Sequence, residues 1–285
     1  MNAADRDHLE RRVESLFAVP PGSATPADAA DTIEALLGAL ESRAVRAAQR
    51  SADGVWSAVP WVKRGILATF RFGSVRDLSP PGDVFSFVDK DTIPPQRFGL
   101  ARGVRIVPGG STIRRGAWVG PGVVCMPPMF INVGANVGAG SMIDSHALVG
   151  SCAQVGERCH ISAAAQIGGV LEPVNATPVI IEDEVTVGGN CGVYEGTIVR
   201  TGAVLGAGVI LTRGTPVFDL VRETILRGSA LAPLEIPAGA VVVPGARAIR
   251  GSWAEAESLS LQTPVIVKYR DAKTDIATAL EDWLR

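Results

Sequence analysis

Aliphatic residues recur at every sixth position through most of the chain beyond residue 104. The spacing holds in three runs separated by two insertions. The first run contains Ile113, Val119, Cys125, Ile131, Val137, Ile143, Val149, Val155, Ile161 and Ile167; the second contains Ile181, Val187, Val193, Val199, Leu205, Leu211 and Val217; the third contains Ile236, Val242 and Ala248. Small residues often follow four positions later, as at Ala117 and Ala165. This period is typical of a parallel β-helix, in which each six-residue unit forms one short strand and one turn.

The repeat also predicts the dimensions of the β-helix. Three units complete one coil, each aliphatic side chain points into a narrow prism, and stacked coils pair as parallel strands about 4.8 Å apart. The twenty units of the three runs predict between six and seven coils. Such helices are commonly left-handed, although the period alone does not determine the hand. We therefore predict a mainly β fold, a left-handed parallel β-helix of hexapeptide repeats over residues 101–250.

The two ends of the chain carry different patterns. Helical spacing over residues 5–17 and 27–50 predicts a mostly helical N-terminal domain over residues 1–100, which we expect to cap the end of the β-helix. Toward the C-terminus, LQTPVIVKYRD predicts a strand and AKTDIATALEDWLR predicts an amphipathic helix. Together they form a predicted extension over residues 251–285.

Charge and composition exclude several classes of protein. The net charge of −2 argues against a nucleic-acid-binding protein, and no apolar run is long enough to cross a bilayer. The N-terminus is polar and lacks the apolar region of a signal peptide, so we expect a cytoplasmic protein. The four cysteines show no metal-ligand spacing and are expected to be reduced and buried. Three histidines, one of them in the helical region, do not predict a metal site.

Three polar residues within the repeat are candidates for chemistry. Asp144 follows the inward Ile143, where several other units carry glycine, and a carboxylate is also tolerated in a tight turn. His146 lies two residues further, on the expected outward side of the same strand, where it could serve as a general base or simply be solvated. Glu195, in NCGVYEGTIV, could equally be an ordinary exposed acid.

The repeat register separates the two acids. Six regular steps and one insertion separate Ile143 from Val193, and the insertion can replace one or two units. The total of seven or eight units is not divisible by three, so Asp144 and Glu195 are expected on different faces, about 12 Å apart if the prism axes are parallel. Within one chain they should not meet, but between neighbouring chains of a threefold assembly they could.

Several joined motifs resemble one known family. The segments SMIDSHALVGSCAQVG, IGGVLEP, PVIIED, VYEGTIV, PAGAVVVPG and VIVKYRDAKT occur in the order found in tetrahydrodipicolinate N-succinyltransferases of the lysine and diaminopimelate pathway. The resemblance runs from about residue 104 to 285, and it extends more weakly to WSAVPWVKRGILATFR in the helical region. It implies a homotrimeric β-helix that transfers succinyl from succinyl-CoA to the amino group of the ring-opened acceptor, with its sites between subunits and without a metal.

The resemblance also assigns residues. It maps the substrate-binding acid of the family onto Asp144, its second acid onto Glu195, and an arginine that binds an acceptor carboxylate onto Arg105. We expect coenzyme A to lie beside Gly188 and Gly206 and to approach Lys268.

The sequence departs from the enterobacterial pattern at His146, at residues 189–192 and in a longer second insertion. Two alternatives therefore stay open: another CoA-dependent N-acyltransferase with an acetyl donor or a toxin-pathway acceptor, and a β-helix that serves only as a scaffold.

Overall fold

The computed structural model describes residues 1–80, 82, 86–229 and 232–270. It begins with three helices and two short antiparallel ribbons. The helices are α1 (Ala3–Ala18), α2 (Ala29–Glu41) and α3 (Pro60–Phe72); the ribbon strands are β1 (Ala48–Arg50), β2 (Trp56–Ala58), β3 (Val75–Asp77) and β4 (Val88–Lys90). Among these residues, no helix is both long enough and apolar enough to cross a membrane.

The second helix is shorter than its sequence predicts. Helical spacing extends to residue 50, but α2 ends at Glu41 and Arg43 adopts a left-handed backbone with φ of 59°. The residues from 48 to 50 pair instead with β2. Ala48 of this ribbon is fully buried against Ile180 and Ile198 of the β-helix, so tertiary packing overrides the local helical pattern.

A β-helix with three flat faces follows, and this confirms the predicted left-handed fold. Face 1 consists of β5 (Arg105–Ile106), β8 (Val124–Cys125), β11 (Met142–Ile143), β14 (His160–Ile161), β17 (Thr186–Val187), β20 (Val204–Leu205) and β25 (Ala240–Ala248). Face 2 consists of β6 (Thr112–Ile113), β9 (Phe130–Ile131), β12 (Leu148–Val149), β15 (Gln166–Ile167), β18 (Gly192–Val193) and β21 (Ile210–Leu211). Face 3 consists of β7 (Trp118–Val119), β10 (Asn136–Val137), β13 (Gln154–Val155), β16 (Ile180–Ile181), β19 (Ile198–Val199) and β24 (Glu235–Ile236).

Each two-residue strand points its second side chain into the prism. Ile143, for example, is fully buried and pairs with Cys125 on one side and Ile161 on the other. These aliphatic ladders form one continuous core along the axis. No single coil could bury its own apolar side, so neighbouring coils stabilise one another.

Two residues of the predicted register are not part of a hexapeptide coil, although Val217 is buried in the same core. Val217 belongs to a hairpin made of β22 (Val217–Asp219) and β23 (Thr224–Leu226), and Ala248 is an exposed residue at the end of the long strand β25. Apolar residues of the two hairpins happen to fall at the sixth position there, so the spacing continues although the coil does not. The second insertion therefore begins after Leu211 rather than after Val217.

Both insertions leave the β-helix at the same corner, between faces 2 and 3. Residues 168–179 join β15 to β16, and residues 212–234 join β21 to β24. Since each insertion connects consecutive faces, each replaces one ordinary turn. The corner between faces 2 and 3 therefore carries most of the irregular backbone of the β-helix.

The helical region packs along this same corner and not over the end of the prism, so the expected cap is wrong. A Cβ at Gly116 would lie 2.7 Å from Leu37 of α2, and one at Gly134 would lie 2.6 Å from Ile66 of α3. Both glycines also have a positive φ, at 75° and 76°. Glycine turns stacked one above the other make a shallow groove, and the helices bury their apolar sides in it.

The end of face 1 is closed by an antiparallel pair. Strand β26 (Ser260–Tyr269) covers the segment predicted as a strand; it pairs with β25 and then with β22. A short helix, α4 (Ser252–Ala256), joins the two long strands. The amphipathic helix predicted over residues 272–285 lies outside the described residues.

Candidate functional site

Five of the six candidate residues are brought together by face 1 and its extension. Arg105 is exposed on β5, at the first strand of the sheet. Asp144 directly follows β11, and Gly188 and Gly206 follow β17 and β20 at the equivalent position. Lys268 lies on β26, opposite Val241 of β25. The sheet therefore arranges these residues in one row, in the order Arg105, Asp144, Gly188, Gly206 and Lys268.

The spacing of the row follows from the strand ladder. Two strand steps separate Arg105 from Met142, which precedes Asp144 by two residues, so the separation along the axis is about 10 Å. Gly188 lies two steps beyond Asp144 and Gly206 three steps, about 10 Å and 14 Å away. Gly188 is half-buried and Gly206 is buried within the chain.

The carboxylate of Asp144 is half-buried and makes few contacts that stabilise the fold. Its Oδ1 accepts a hydrogen bond of 2.7 Å from the backbone N–H of Ser145. Among the described residues, no Lys, Arg or His side chain lies within 4.0 Å of it. A carboxylate that could form an ion pair but does not is free to bind a cationic or amine-bearing group.

The spacing predicted that His146 lies on the same strand as Asp144. In the structure, Asp144 directly follows β11 and His146 lies in the turn beyond it. It occupies the second position of the turn after β11, where its φ of 62° is left-handed. The backbone N–H of His146 donates to the carbonyl of Pro128, and its side chain is exposed. His160 is the histidine that lies outward on face 1, directly opposite Met142. The pattern of alternating side chains missed it because each strand is only two residues long.

Glu195 lies on a different part of the surface, at the corner between faces 2 and 3. Strand β18, which precedes it, belongs to face 2, whereas β11 belongs to face 1. Seven units separate these strands, which places the two acids about 11 Å apart along the axis as well as on different corners. The register prediction is therefore correct that one chain does not bring the two carboxylates together.

The backbone at Glu195 is unusual for this β-helix. Other two-residue corners of the described coils, apart from the Gly109–Gly110 bend, place at most their second residue in the left-handed region. Here both residues are left-handed, Glu195 with φ of 54° and Gly196 with φ of 76°. A left-handed residue other than glycine costs about 1–2 kcal/mol. Six other coil corners carry one such residue, so this corner is distinguished by two consecutive left-handed residues and not by the cost of one.

Glu195 also lines a pocket of about 310 Å³ between the two insertions. One wall comes from residues 173–177 of the first insertion, and the other comes from Arg213 and the second insertion. Glu195 Oε2 accepts a hydrogen bond of 3.0 Å from the backbone N–H of Arg213, which turns the carboxylate toward this space. The pocket thus joins an acid to the two least regular segments of the β-helix.

Lys63 supports one wall of this pocket from the helical region. It is completely buried on α3, and its Nζ donates a 2.6 Å hydrogen bond to the carbonyl of Ala176, a pocket residue. Burial lowers the pKa of Lys63 below its ordinary value, and the nearby Cys152 thiol acts in the opposite sense. Lys63 is not among the residues predicted from the sequence, although a lysine between Trp61 and Ile66 on an otherwise apolar helix side was a usable signal.

Other strongly perturbed groups belong to structural contacts. Glu182 is buried where β2 meets the β-helix and accepts hydrogen bonds from Trp56, Arg200 and Thr201. Burial would raise its pKa, but these hydrogen bonds and the Arg200 charge outweigh burial and hold the pKa below 4.5. Burial also raises the pKa of all four thiols, to about 11 or 12: Cys125, Cys152, Cys159 and Cys191.

Comparison with known proteins gives matches to two segments and to the whole chain. Residues 8–72 match a family model described as the N-terminal part of tetrahydrodipicolinate N-succinyltransferase, and residues 178–213 match one described as the hexapeptide repeat of succinyl-transferase.

Three relatives are each described as 2,3,4,5-tetrahydropyridine-2,6-dicarboxylate N-succinyltransferase. The relative from Paramagnetospirillum magneticum is 38% identical over 97% of this chain and 98% of its own length. Those from Chelativorans sp. and Polynucleobacter asymbioticus are 38% and 36% identical, with 100% of both chains covered in each comparison.

Proposed function

Because the chain belongs to the 2,3,4,5-tetrahydropyridine-2,6-dicarboxylate N-succinyltransferase family, we propose that it transfers a succinyl group from succinyl-CoA to the amino group of ring-opened tetrahydrodipicolinate. This is an acyl transfer of the lysine and diaminopimelate pathway. Full-length similarity to relatives of that name supports the reaction class. The roles of individual residues rest on the geometry described above.

The observation that carries the proposal is the single row of residues on face 1. An acceptor bound at one end would place a carboxylate near Arg105, whose guanidinium suits that group, and its amine near Asp144. The donor would extend from Asp144 past Gly188 and Gly206 toward Lys268. The row is comparable in length to an acceptor followed by an extended pantetheine chain and pyrophosphate.

Asp144 supplies the chemistry at the junction of the two substrates. An amine attacks a thioester only in its neutral form, so a proton must leave the nitrogen as the new C–N bond forms. The unpaired carboxylate of Asp144 accepts that proton and orients the nitrogen. The tetrahedral oxyanion then collapses, the C–S bond breaks, and the proton taken up by Asp144 passes to the departing sulfur, so that coenzyme A leaves as a thiol. Holding both substrates on one rigid sheet contributes the entropic part of the acceleration.

Glu195 completes the site from a neighbouring subunit. It lies too far around the prism to reach the Asp144 row of its own chain, and its pocket between the insertions opens at a different corner. We therefore propose a homotrimer in which the Glu195 corner of one subunit faces the Asp144 row of the next. In that arrangement Glu195 assists ring opening or deprotonation of the acceptor. The cytoplasm is the proposed compartment because succinyl-CoA is a metabolite found there.

Release of free thiol measures the reaction directly. The assay compares succinyl-CoA with acetyl-CoA, each with and without tetrahydrodipicolinate. We expect acceptor-dependent thiol release with succinyl-CoA. Release only with acetyl-CoA would instead identify a different N-acyltransferase, and no acceptor-dependent release with either donor would favour a scaffold. The buried protein thiols do not interfere, since their raised pKa keeps them protonated at assay pH.

A further inference from the structure

A second pocket, separate from the acyl-transfer row, lies between the helical region and face 3. Its volume is about 320 Å³, within the range of small-ligand pockets. It is bordered by the start of α1, the segment that follows α2, and the β1–β2 ribbon. The ribbon packs on Ile180 and Ile198 of face 3, whereas Asp144 follows face 1 and Glu195 follows face 2. The pocket therefore belongs to neither of the proposed catalytic acids.

The lining of this pocket is exclusively cationic among its charged residues. Among the described residues, four arginines and no acid border it: Arg6, Arg43, Arg46 and Arg50. The protein as a whole carries a net charge of −2, so this is a strong local excess. Arg50 has a carboxylate partner, since it lies 3.5 Å from Glu182. Within the described part of the chain, the other three have no carboxylate within 4.0 Å.

Arg46 is the most buried of these cations. Its Nε donates a 2.9 Å hydrogen bond to the neutral Gln154, and its guanidinium stacks 5.5 Å from the ring centre of Trp56. Burial, together with the charge of Arg43, lowers the pKa of Arg46 to about 10, and the charge of Asp183 acts in the opposite sense. A partly buried cation without an anion is unfavourable, and an anionic ligand would remove that penalty.

Trp61 provides an independent observation at the same place. It lines the pocket and is only 3% exposed, and its indole Nε1 has no hydrogen-bond partner in the described structure. Buried donors in folded proteins are nearly always satisfied by protein, water or a ligand. The described lining thus combines an indole N–H that lacks an acceptor with three guanidiniums that lack a carboxylate partner.

We propose that this pocket binds a phosphoryl group, either as free phosphate or as part of a nucleotide. Guanidinium groups match the geometry of phosphate oxygens and can donate two hydrogen bonds at once. A phosphate dianion balances the local charge better than a single carboxylate would. The Trp61 N–H supplies one further donor to the same ligand.

Isothermal titration calorimetry with inorganic phosphate, ADP and adenosine tests this proposal on the full chain. We expect phosphate and ADP to bind and adenosine not to bind, with affinity that falls as ionic strength rises. Equal affinity for phosphate and ADP would show that free phosphate is sufficient for binding. Tighter binding of ADP would show that the ligand of the pocket is a nucleotide. Failure of both phosphorylated ligands to bind, or binding of adenosine alone, would overturn the proposal.

Variants locate the binding to this pocket rather than to the coenzyme A site. Arg46→Gln should weaken phosphate or ADP binding by about 10- to 100-fold, as expected for a lost charged hydrogen bond. Trp61→Phe keeps the packing and should weaken binding by a few fold; it serves as the second variant if Arg46→Gln does not fold. Arg11→Gln, on the exposed side of α1, is the matched control and should bind normally. Equal affinity in all three variants, with displacement by coenzyme A, would assign the binding to the donor site and refute the proposal.

Discussion

Replacing Asp144 by Asn should abolish most turnover without affecting folding. Asn keeps the size of the side chain, and its carbonyl oxygen can accept the same hydrogen bond from Ser145 N–H. No ion pair within the described residues is lost, so the free energy of unfolding should change by less than about 0.5 kcal/mol. The amide cannot accept a proton, and loss of a general base lowers kcat by about 10²- to 10⁴-fold. That corresponds to roughly 2.7–5.5 kcal/mol in activation free energy.

Glu182 provides the matched contrast, since it is an acid with structural contacts only. Its Oε1 lies 2.9 Å from Arg200 and accepts the indole N–H of Trp56. Breaking a buried ion pair from one side costs about 3–5 kcal/mol, so Glu182→Gln should lower the melting temperature by roughly 6 to 20 °C. Its kcat should remain close to that of the unmodified protein below the unfolding transition. Thiol release and thermal unfolding are measured on the same preparations of both variants.

A kcat of at least half the original value in Asp144→Asn would show that Asp144 is not the base. A parallel fall in activity and melting temperature would instead identify Asp144 as a structural turn residue. His146→Ala tests the alternative mechanism, in which His146 is the general base. Loss of turnover in that variant, with normal turnover in Asp144→Asn, would identify the exposed histidine as the base.

Three further predictions concern the support of the site and the stability of the fold. Lys63→Met removes the hydrogen bond that holds the first insertion, and it should raise the KM for the acceptor by about 2- to 10-fold in steady-state assays; Lys90→Met is the control, because this partly buried lysine also donates to a backbone carbonyl, that of Gly73, but outside the pocket. Because Glu182 has a lowered pKa in the folded protein, its stabilising effect is complete above about pH 4.5 and is lost as pH falls below that value; melting temperatures between pH 3 and 6 should therefore fall less steeply in Glu182→Gln. The four buried thiols should not react with an aromatic disulfide reagent at pH 8 in the native protein and should all react after denaturation; rapid labelling of the native protein would contradict their described burial.

The β-helix itself could be predicted from the sequence because its period is local and strict. An aliphatic residue at every sixth position must point to the same side of each coil, so the inward ladder through Ile143 and Ile161 follows directly. The same register correctly separated Asp144 from Glu195, because each insertion replaces one turn. The period misled at Val217 and Ala248, where hairpin strands happened to continue the spacing.

The location of the helical region was decided by tertiary packing. Helical periodicity identified apolar sides on α2 and α3, but it carried no information about which surface would cover them. The glycine turns at Gly116 and Gly134 create the complementary groove, and only the stacked coils bring those turns into line. The same packing ended α2 early, because Ala48 is buried more effectively in a strand against face 3 than at the end of a helix.

The amino-acid sequence by itself therefore determined the coil, its register and the faces that carry the candidate acids. It also carried the motifs that predict the roles of Asp144 and Glu195, and these roles remain predictions. Only the tertiary structure placed Arg105, Asp144 and Lys268 on one continuous sheet, and only it joined Lys63 to the pocket beside Glu195. The physical reason is distance along the chain: a six-residue period is set by neighbouring residues, whereas contacts between segments a hundred residues apart depend on how complete surfaces pack.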